Sequence, residues 1–212
     1  MNVKNFENNR WLNEDQKIQF RHRATFSMID SGTVLDLGCG DGLLLSLLKD
    51  KGVKGKGLDI SENGIEKAKT KGLDVSIYDF SNRLPFDDNT FDTVIMLDLL
   101  EHLYNPEFLL SEARRVSKKN IIVGVPNFNS LPARIQMLLG KIPENNQPKK
   151  GHIFWFNYNI IRAIFARVNL KIIRIDSNTL FEKRFPISKV TKYLSRLVPN
   201  LFSLSFVVLA RK

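Results

Sequence analysis

Asp36, Gly38, Gly40, Asp41 and Gly42 fall within one seven-residue stretch, Asp36-Leu37-Gly38-Cys39-Gly40-Asp41-Gly42, behind the β-formers Val34-Leu35 and ahead of Leu43-Leu44-Leu45-Ser46-Leu47-Leu48. β-Formers leading into alternate glycines and then into a helical apolar run describe a strand, a tight turn and a helix start. Glycine suits that turn because the backbone must adopt unusual dihedrals and approach a ligand with no Cβ in the way. Free N–H groups at the helix start face the same ligand. The chemistry this allows is the cradling of a nucleotide-bearing cofactor. A dinucleotide fingerprint needs G-x-G-x-x-G, and Leu43 stands where its third glycine would fall. Asp36 and Asp41 put negative charge where a pyrophosphate would be repelled, so a cationic ligand fits better.

Carboxylates and a histidine recur at the ends of further apolar runs. Gly55-Lys56-Gly57-Leu58-Asp59-Ile60 reads as a short buried strand, and Asp59 lies 21 residues beyond Gly38. That is the separation at which an acidic residue after the second strand reaches ribose hydroxyls. Leu73-Asp74-Val75-Ser76-Ile77-Tyr78 reads as a third strand, followed by Asp79-Phe80. Thr93-Val94-Ile95-Met96-Leu97 reads as a fourth, followed by Asp98-Leu99-Leu100-Glu101-His102. Open α/β sheets bind ligands at such strand ends. Asp98, Glu101 and His102 could hold a hard divalent ion if they converge. Alternatively, Leu97 and Asp98 line the cofactor while His102 orients a loop, acts as a general base or plays no part; no metal is assigned.

The motif from Asp36 to Gly42 resembles the D-x-G-x-G-x-G of the class I S-adenosylmethionine (SAM) dependent methyltransferases. The resemblance implies SAM as cofactor, released as S-adenosylhomocysteine, and a cofactor site formed by Asp36, Gly38, Cys39, Gly40, Gly42, Asp59, Ile60, Asp79, Phe80, Leu97 and Asp98. In that family the position of Asp79 accepts from the adenine amino group and an apolar neighbour, here Phe80, flanks the ring. Asp98-Leu99-Leu100-Glu101-His102 is similar to the E-x-x-E-H stretch of the quinone O-methyltransferases of ubiquinone biosynthesis. Pro126-Asn127-Phe128, an apolar helix ending in Leu138-Leu139-Gly140, and His152 resemble the MetW-like branch. This likeness covers about residues 34–175. It implies fold and cofactor more strongly than substrate, and makes His102 and His152 the catalytic candidates.

The elements that must position these residues follow from periodicity. Ile18, Phe26 and Ile29 predict a helix over about 13–28 within an amino-terminal cap, residues 1–32. Helices are predicted over 43–51, from Ser61 to Gly72, from Pro106 to Val116, over 131–139 and from near Asn157. A fifth strand covers 121–125, a sixth 170–175 and a seventh 204–210. The expected fold is α/β, a doubly wound, seven-stranded, mostly parallel sheet with an antiparallel carboxyl-terminal strand and helices on both faces. Its 212 residues suit one domain.

Charge is unevenly spread over the chain's net +10. Residues 1–140 hold 18 Lys and Arg against 19 Asp and Glu, and residues 141–212 hold 14 against 3. The basic last third implies an anionic partner: a charged substrate, a lipid surface or nucleic acid. The polar loop 141–151 reads as a lid. Within an insertion over 177–203, Ile187, Val190, Leu194, Leu197 and Val198 line one helical face, with Lys189, Lys192 and Arg196 elsewhere. Such a helix over 183–198 either touches an anionic membrane surface or packs as a flap over the site, the reading preferred here. The lone Cys39 excludes an internal disulfide, no apolar run approaches 18 residues, and the chain is expected in the cytoplasm. The expected activity is methyl transfer to a small-molecule, anionic acceptor. A SAM-binding regulatory partner of a methionine-biosynthesis enzyme and an RNA methyltransferase are the alternatives, although no RNA-binding module is present and no specific nucleic acid is expected.

Overall fold

Alternation along the central strands sends neighbouring side chains to two separate cores. In the computed structural model, which describes residues 3–11, 17–180 and 187–212, Val34, Ile95, Ile122 and Val207 face one side of the sheet. Leu35, Val94, Met96, Ile121, Val123, Phe206 and Val208 face the other, and all eleven are within 1% of complete burial. Strands buried on both faces read as nearly continuous apolar runs and need helices above and below.

The sheet has seven strands: β1 (Thr33–Leu37), β2 (Lys54–Asp59), β3 (Asp74–Ile77), β4 (Phe91–Leu97), β5 (Ser117–Pro126), β6 (Lys171–Thr179) and β7 (Ser203–Arg211). Their order is β3-β2-β1-β4-β5-β7-β6. The strands from β3 to β5 pair in parallel, and β7 runs antiparallel to both of its neighbours, as expected. β1 and β4 flank the point where the order reverses, so their carboxyl ends open the crevice in which such sheets bind ligands.

On one face lie α2 (Phe20–Phe26), α3 (Leu43–Asp50) and α4 (Glu62–Thr70), burying Ala24, Leu44, Leu45, Leu48, Ile65 and Ala68. On the other lie α5 (Pro106–Val116) and α7 (Tyr158–Arg167), burying Leu109, Leu110, Ala113, Ile161, Ile164 and Phe165. Each of the Leu, Ile and Phe side chains among these contributes about 1.5–3 kcal/mol on leaving water. Ser61 caps α4 by accepting from Gly64 N–H, Asn105 caps α5 from Phe108 N–H, and Asn157 caps α7 from Ile160 N–H.

Four elements depart from expectation; one is β6, which runs on to Thr179 rather than ending at 175 because it stays paired with β7 as far as Ser203. The helix expected over 13–28 is α2 alone, with 12–16 outside the described residues and a further helix, α1 (Val3–Arg10), ahead of it. β5 begins at Ser117 rather than Ile121, because its first residues extend along β4 across an irregularity between Phe91 and Thr93. In α8 (Ile187–Leu197) the apolar stripe packs inward only in part, with Leu194 half-buried. Thr191 and Ser195 are buried, whereas Val190, Tyr193 and Leu197 are 57%, 62% and 62% exposed beside the exposed Lys189, Lys192 and Arg196. The hydroxyls tolerate burial because each donates back along the helix, Thr191 to Ser188 O and Ser195 to Lys192 O. Residues 181–186 lie outside the described residues, as does part of the stretch 183–198 read as the surface-contacting helix.

Candidate active site

The glycine turn leaves β1 on backbone bonds to β2: Gly38 and Cys39 N–H both donate to Leu58 O. Gly38, Gly40 and Gly42 all have positive φ, at 77°, 53° and 74°. Gly40 has a further reason to lack a side chain, since a Cβ there would stand 2.2 Å from the Trp11 ring. The Asp59 carboxylate fastens the turn, accepting from Gly40 N–H at 2.8 Å and from Ser61 N–H at 2.8 Å. Four lone-pair directions on a carboxylate leave room for further donors beyond these two.

A cavity of about 910 Å³ opens beside this turn. Of the expected cofactor residues, Asp36, Gly38, Cys39, Asp59, Ile60, Asp79, Phe80, Leu97 and Asp98 line it. Gly40 and Gly42 are not among its lining residues; they shape the turn behind it, Gly42 as the residue preceding α3. Asp79 is exposed at the cavity wall, its Oδ1 taking Ser81 N–H, and Phe80 is buried beside it.

Charge in the turn is divided differently from the sequence reading. Asp41 is held by Lys71, whose ammonium lies 3.0 Å from Asp41 Oδ2 and 2.8 Å from its carbonyl, and Asp41 does not line the cavity. Of the two aspartates, Asp36 alone lines the cavity. Burial, and then the nearby Asp59, push its pKa up to about 8, so a cation entering the cavity would favour its ionised form. His22, also on the wall, is shifted down to about 4, chiefly by burial and then by Arg21.

A second cavity, of about 1020 Å³, lies on the far side of the β4 end, lined by Gln19, Glu101, Lys149, Lys150 and His152 among others. Arg21, Asp98 and His102 line both chambers. Asp98 sits at φ 50°, donates its N–H to Gly124 O, and pairs with the Arg21 guanidinium at 3.1 Å. Sequence reasoning missed Arg21, Trp11 and His22, for which the amino-terminal segment offers no motif.

The structure brings the two catalytic candidates together. The 3-10 turn Leu100–His102 follows β4, and its Glu101 carbonyl accepts from both Ile153 and Phe154 N–H, laying the segment after the 141–151 loop against it. The rings of His102 and His152 stand 4.9 Å apart between centroids at 66°. His152 Nε2 lies 3.9 Å from the fully buried Glu101 carboxylate. The trio that converges is therefore Glu101, His102 and His152, while Asp98 turns to Arg21.

The family model for methionine biosynthesis protein MetW matches residues 20–209. The chain belongs to the MetW family. The bifunctional methionine biosynthesis protein MetXA/MetW of Rhodopirellula baltica is 31% identical over 125 residues, covering 54% of this chain and 20% of that protein. The ubiquinone biosynthesis O-methyltransferase of Pelagibacter ubique is 27% identical over 124 residues, covering 57% of this chain and 52% of that protein. The matches thus span about half or less of these curated relatives' own length. A SAM-dependent methyltransferase from Archaeoglobus fulgidus superposes with a TM-score of 0.69 at 23% identity, covering 91% of each chain. This MetW-family chain has the class I methyltransferase fold. Among its described residues no helix is long and apolar enough to cross a membrane.

Proposed function

We propose that the chain uses SAM to methylate a small anionic molecule. The observation that carries this reading is the meeting of two chambers, each near 1000 Å³ in size, at Arg21, Asp98 and His102. Bound SAM supplies a methyl group already activated on a sulfonium. The protein's work is then to hold the reacting atoms in line and exclude water. In this reading Asp59 takes the ribose hydroxyls, Asp79 the adenine amino group with Phe80 and Ile60 at the ring, and Asp36, Gly38, Cys39, Leu97 and Asp98 the methionine end. Arg21 is paired with Asp98 on the lining of the second chamber, and Glu101 and Glu144 line it too, so Lys149 and Lys150 are the cations left there to draw an anionic acceptor. His102, on the lining of both chambers, and His152, beside it on the second, are the side chains set toward the acceptor.

Calorimetric titration with SAM, S-adenosylhomocysteine and, as control, NADH tests the cofactor reading. Micromolar binding of the first two and none of NADH supports it, and absence of both overturns it. Screening of small-molecule pools with methyl-labelled SAM then tests turnover. The exposed apolar and basic residues of α8 support a peripheral contact with an anionic membrane surface. Liposome sedimentation unchanged by joint Lys189→Glu, Lys192→Glu and Arg196→Glu replacement would end that idea.

A second reading has its own observation. The Rhodopirellula baltica relative joins MetXA and MetW in one chain by name. SAM binding without turnover on any acceptor pool, together with copurification of a methionine-biosynthesis enzyme, would favour a regulatory partner.

A further inference from the structure

We infer that Glu101, His102 and His152 form a binding site for one divalent transition-metal ion at the edge of the acceptor chamber. One ligand atom from each residue lies within 4.8 Å of the other two. All three residues line that chamber, and His102 faces the cofactor chamber as well. The set combines one carboxylate with two imidazoles.

The backbone prepares both rings for this role. His102 Nδ1 stands 3.2 Å from Gly151 O, and His152 Nδ1 stands 2.7 Å from Asn145 O. A neutral imidazole that donates from Nδ1 to a carbonyl carries its lone pair on Nε2. That is the arrangement in which ligating histidines are usually held, the outer hydrogen bond fixing tautomer and ring direction. Both carbonyls belong to or border the 141–151 loop, so the loop holds the two rings without itself contributing a ligand. The Glu101 carbonyl, taking Ile153 and Phe154 N–H at 2.9 and 3.0 Å, locks the two ligand-bearing segments to each other.

Distances fit an ion after a small contraction. Metal–ligand bonds of about 2.0–2.2 Å put ligand atoms about 3.3 Å apart in tetrahedral geometry. His152 Nε2 and Glu101 Oε1 are already at 3.9 Å. Imidazole-rich sets suit zinc, iron and their neighbours, whereas magnesium prefers oxygen ligands and retains water. Three protein ligands leave coordination positions open toward the chamber, where oxygen atoms of an acceptor can be held. This role in acceptor binding rests on the methyl-transfer reading; the metal site itself does not.

The test is titration of the chelator-stripped full chain with ZnCl2, and separately with MgCl2, in the absence of SAM. One Zn2+ should bind per chain, at least tenfold tighter than Mg2+. His152→Ala and Glu101→Gln should each weaken Zn2+ at least about 100-fold, the top of the range seen when only an outer hydrogen bond is lost. S-adenosylhomocysteine affinity should change less than threefold in both, which also certifies their fold. Co2+ should give visible absorption in the wild type that His152→Ala abolishes, an independent reading of imidazole ligation. No stoichiometric Zn2+ uptake by the wild type, or equal uptake by variants that still bind S-adenosylhomocysteine, overturns the site. Loss of metal with retained SAM binding leaves the cofactor reading standing, and the reverse outcome separates them in the other direction.

Discussion

Between Val34 and Asp98 the side chains facing the cofactor chamber sit at or just beyond consecutive strand ends, and each turn is fastened by neighbours in the same βαβ unit: Asp59 to Gly40 and Ser61, Gly38 to Leu58. The acceptor chamber is assembled across long stretches of chain. Asn127, fully buried, donates from its side-chain amide to Asn200 O and Ser203 O, across 73 and 76 residues, and accepts Asn129 N–H on its Oδ1. Asn200 in turn takes Tyr158 N–H, and Phe128 N–H goes to Phe156 O. One half is local and motif-bearing; the other depends on a few polar knots that bring distant loops together.

The sharpest way to separate the halves is Asp59→Ala. It removes the proposed ribose acceptor together with two charge-assisted bonds to buried N–H groups, each worth about 1.5–3 kcal/mol. S-Adenosylhomocysteine affinity should fall at least about 100-fold, since each 1.4 kcal/mol is tenfold. Zn2+ affinity, measured on the same sample, should stay within a few-fold of wild type. Equal loss of both would mean that the two halves are not independent.

Asn127→Ala attacks the other half. It leaves the buried Ser203 carbonyl without this partner, at about 1–3 kcal/mol, and strips a bond from the half-buried Asn200 carbonyl and Asn129 N–H, which water can partly replace at a smaller cost. Urea unfolding should show a loss of about 2–4 kcal/mol in total. In the variant that remains folded, cofactor affinity should hold while labelled-methyl turnover drops, because the Asn127 knot ties the β5 end to α9 (Pro199–Phe202) and β7 behind the acceptor chamber.

The same division governs what could be read from sequence. The glycine turn, the Asp59 spacing, Asp79 and Asp98 were legible because strand, turn and helix start are local patterns with fixed offsets. The sheet followed, with its antiparallel β7, because apolar runs and helical periodicity alternate along the chain. The convergence of His102 on His152 was not legible, since it depends on backbone bonds from Glu101 to residues 153 and 154. Nor was Arg21, which meets Asp98 from a helix with no motif. The Pro126-Asn127-Phe128 stretch was noticed for its resemblance alone; its asparagine proves to be a buried polar tie. In α8 the helix was read correctly and its buried face only in part: Leu194 is half-buried, but Thr191 and Ser195, whose hydroxyls are satisfied by bonding back to their own helix, are buried where Val190 and Leu197 are not.

Charge reversal at Lys149 and Lys150 together should act on the acceptor side only. If the acceptor is anionic, its KM should rise by about tenfold, as expected for a change of about 1.4 kcal/mol, with a smaller effect at high salt. Cofactor affinity should be unchanged. A KM insensitive to both substitutions would remove the argument from basic charge.

The smallest effect concerns Asp36 and tests whether the cofactor half stores electrostatic strain. Its folded pKa, about 8, lies above the usual 3.8 because of burial and then Asp59. A raised carboxyl pKa means that the native state binds the proton more tightly than the unfolded state. Its contribution is therefore fully present below about pH 3.8 and is lost as pH rises toward 8. His22, lowered to about 4, works in the opposite direction between pH 4 and 6.5, where the unfolded chain takes up the proton first and stability rises with pH. The clean window is pH 6.5 to 8. There, wild-type unfolding free energy should fall relative to that of Asp36→Asn by about 1 kcal/mol per pH unit, the slope for one proton. Urea midpoints at three pH values in that window measure it. A difference that stays flat would place the Asp36 titration below pH 6.5, and with it would go the argument that the chamber is poised to gain from an entering cation.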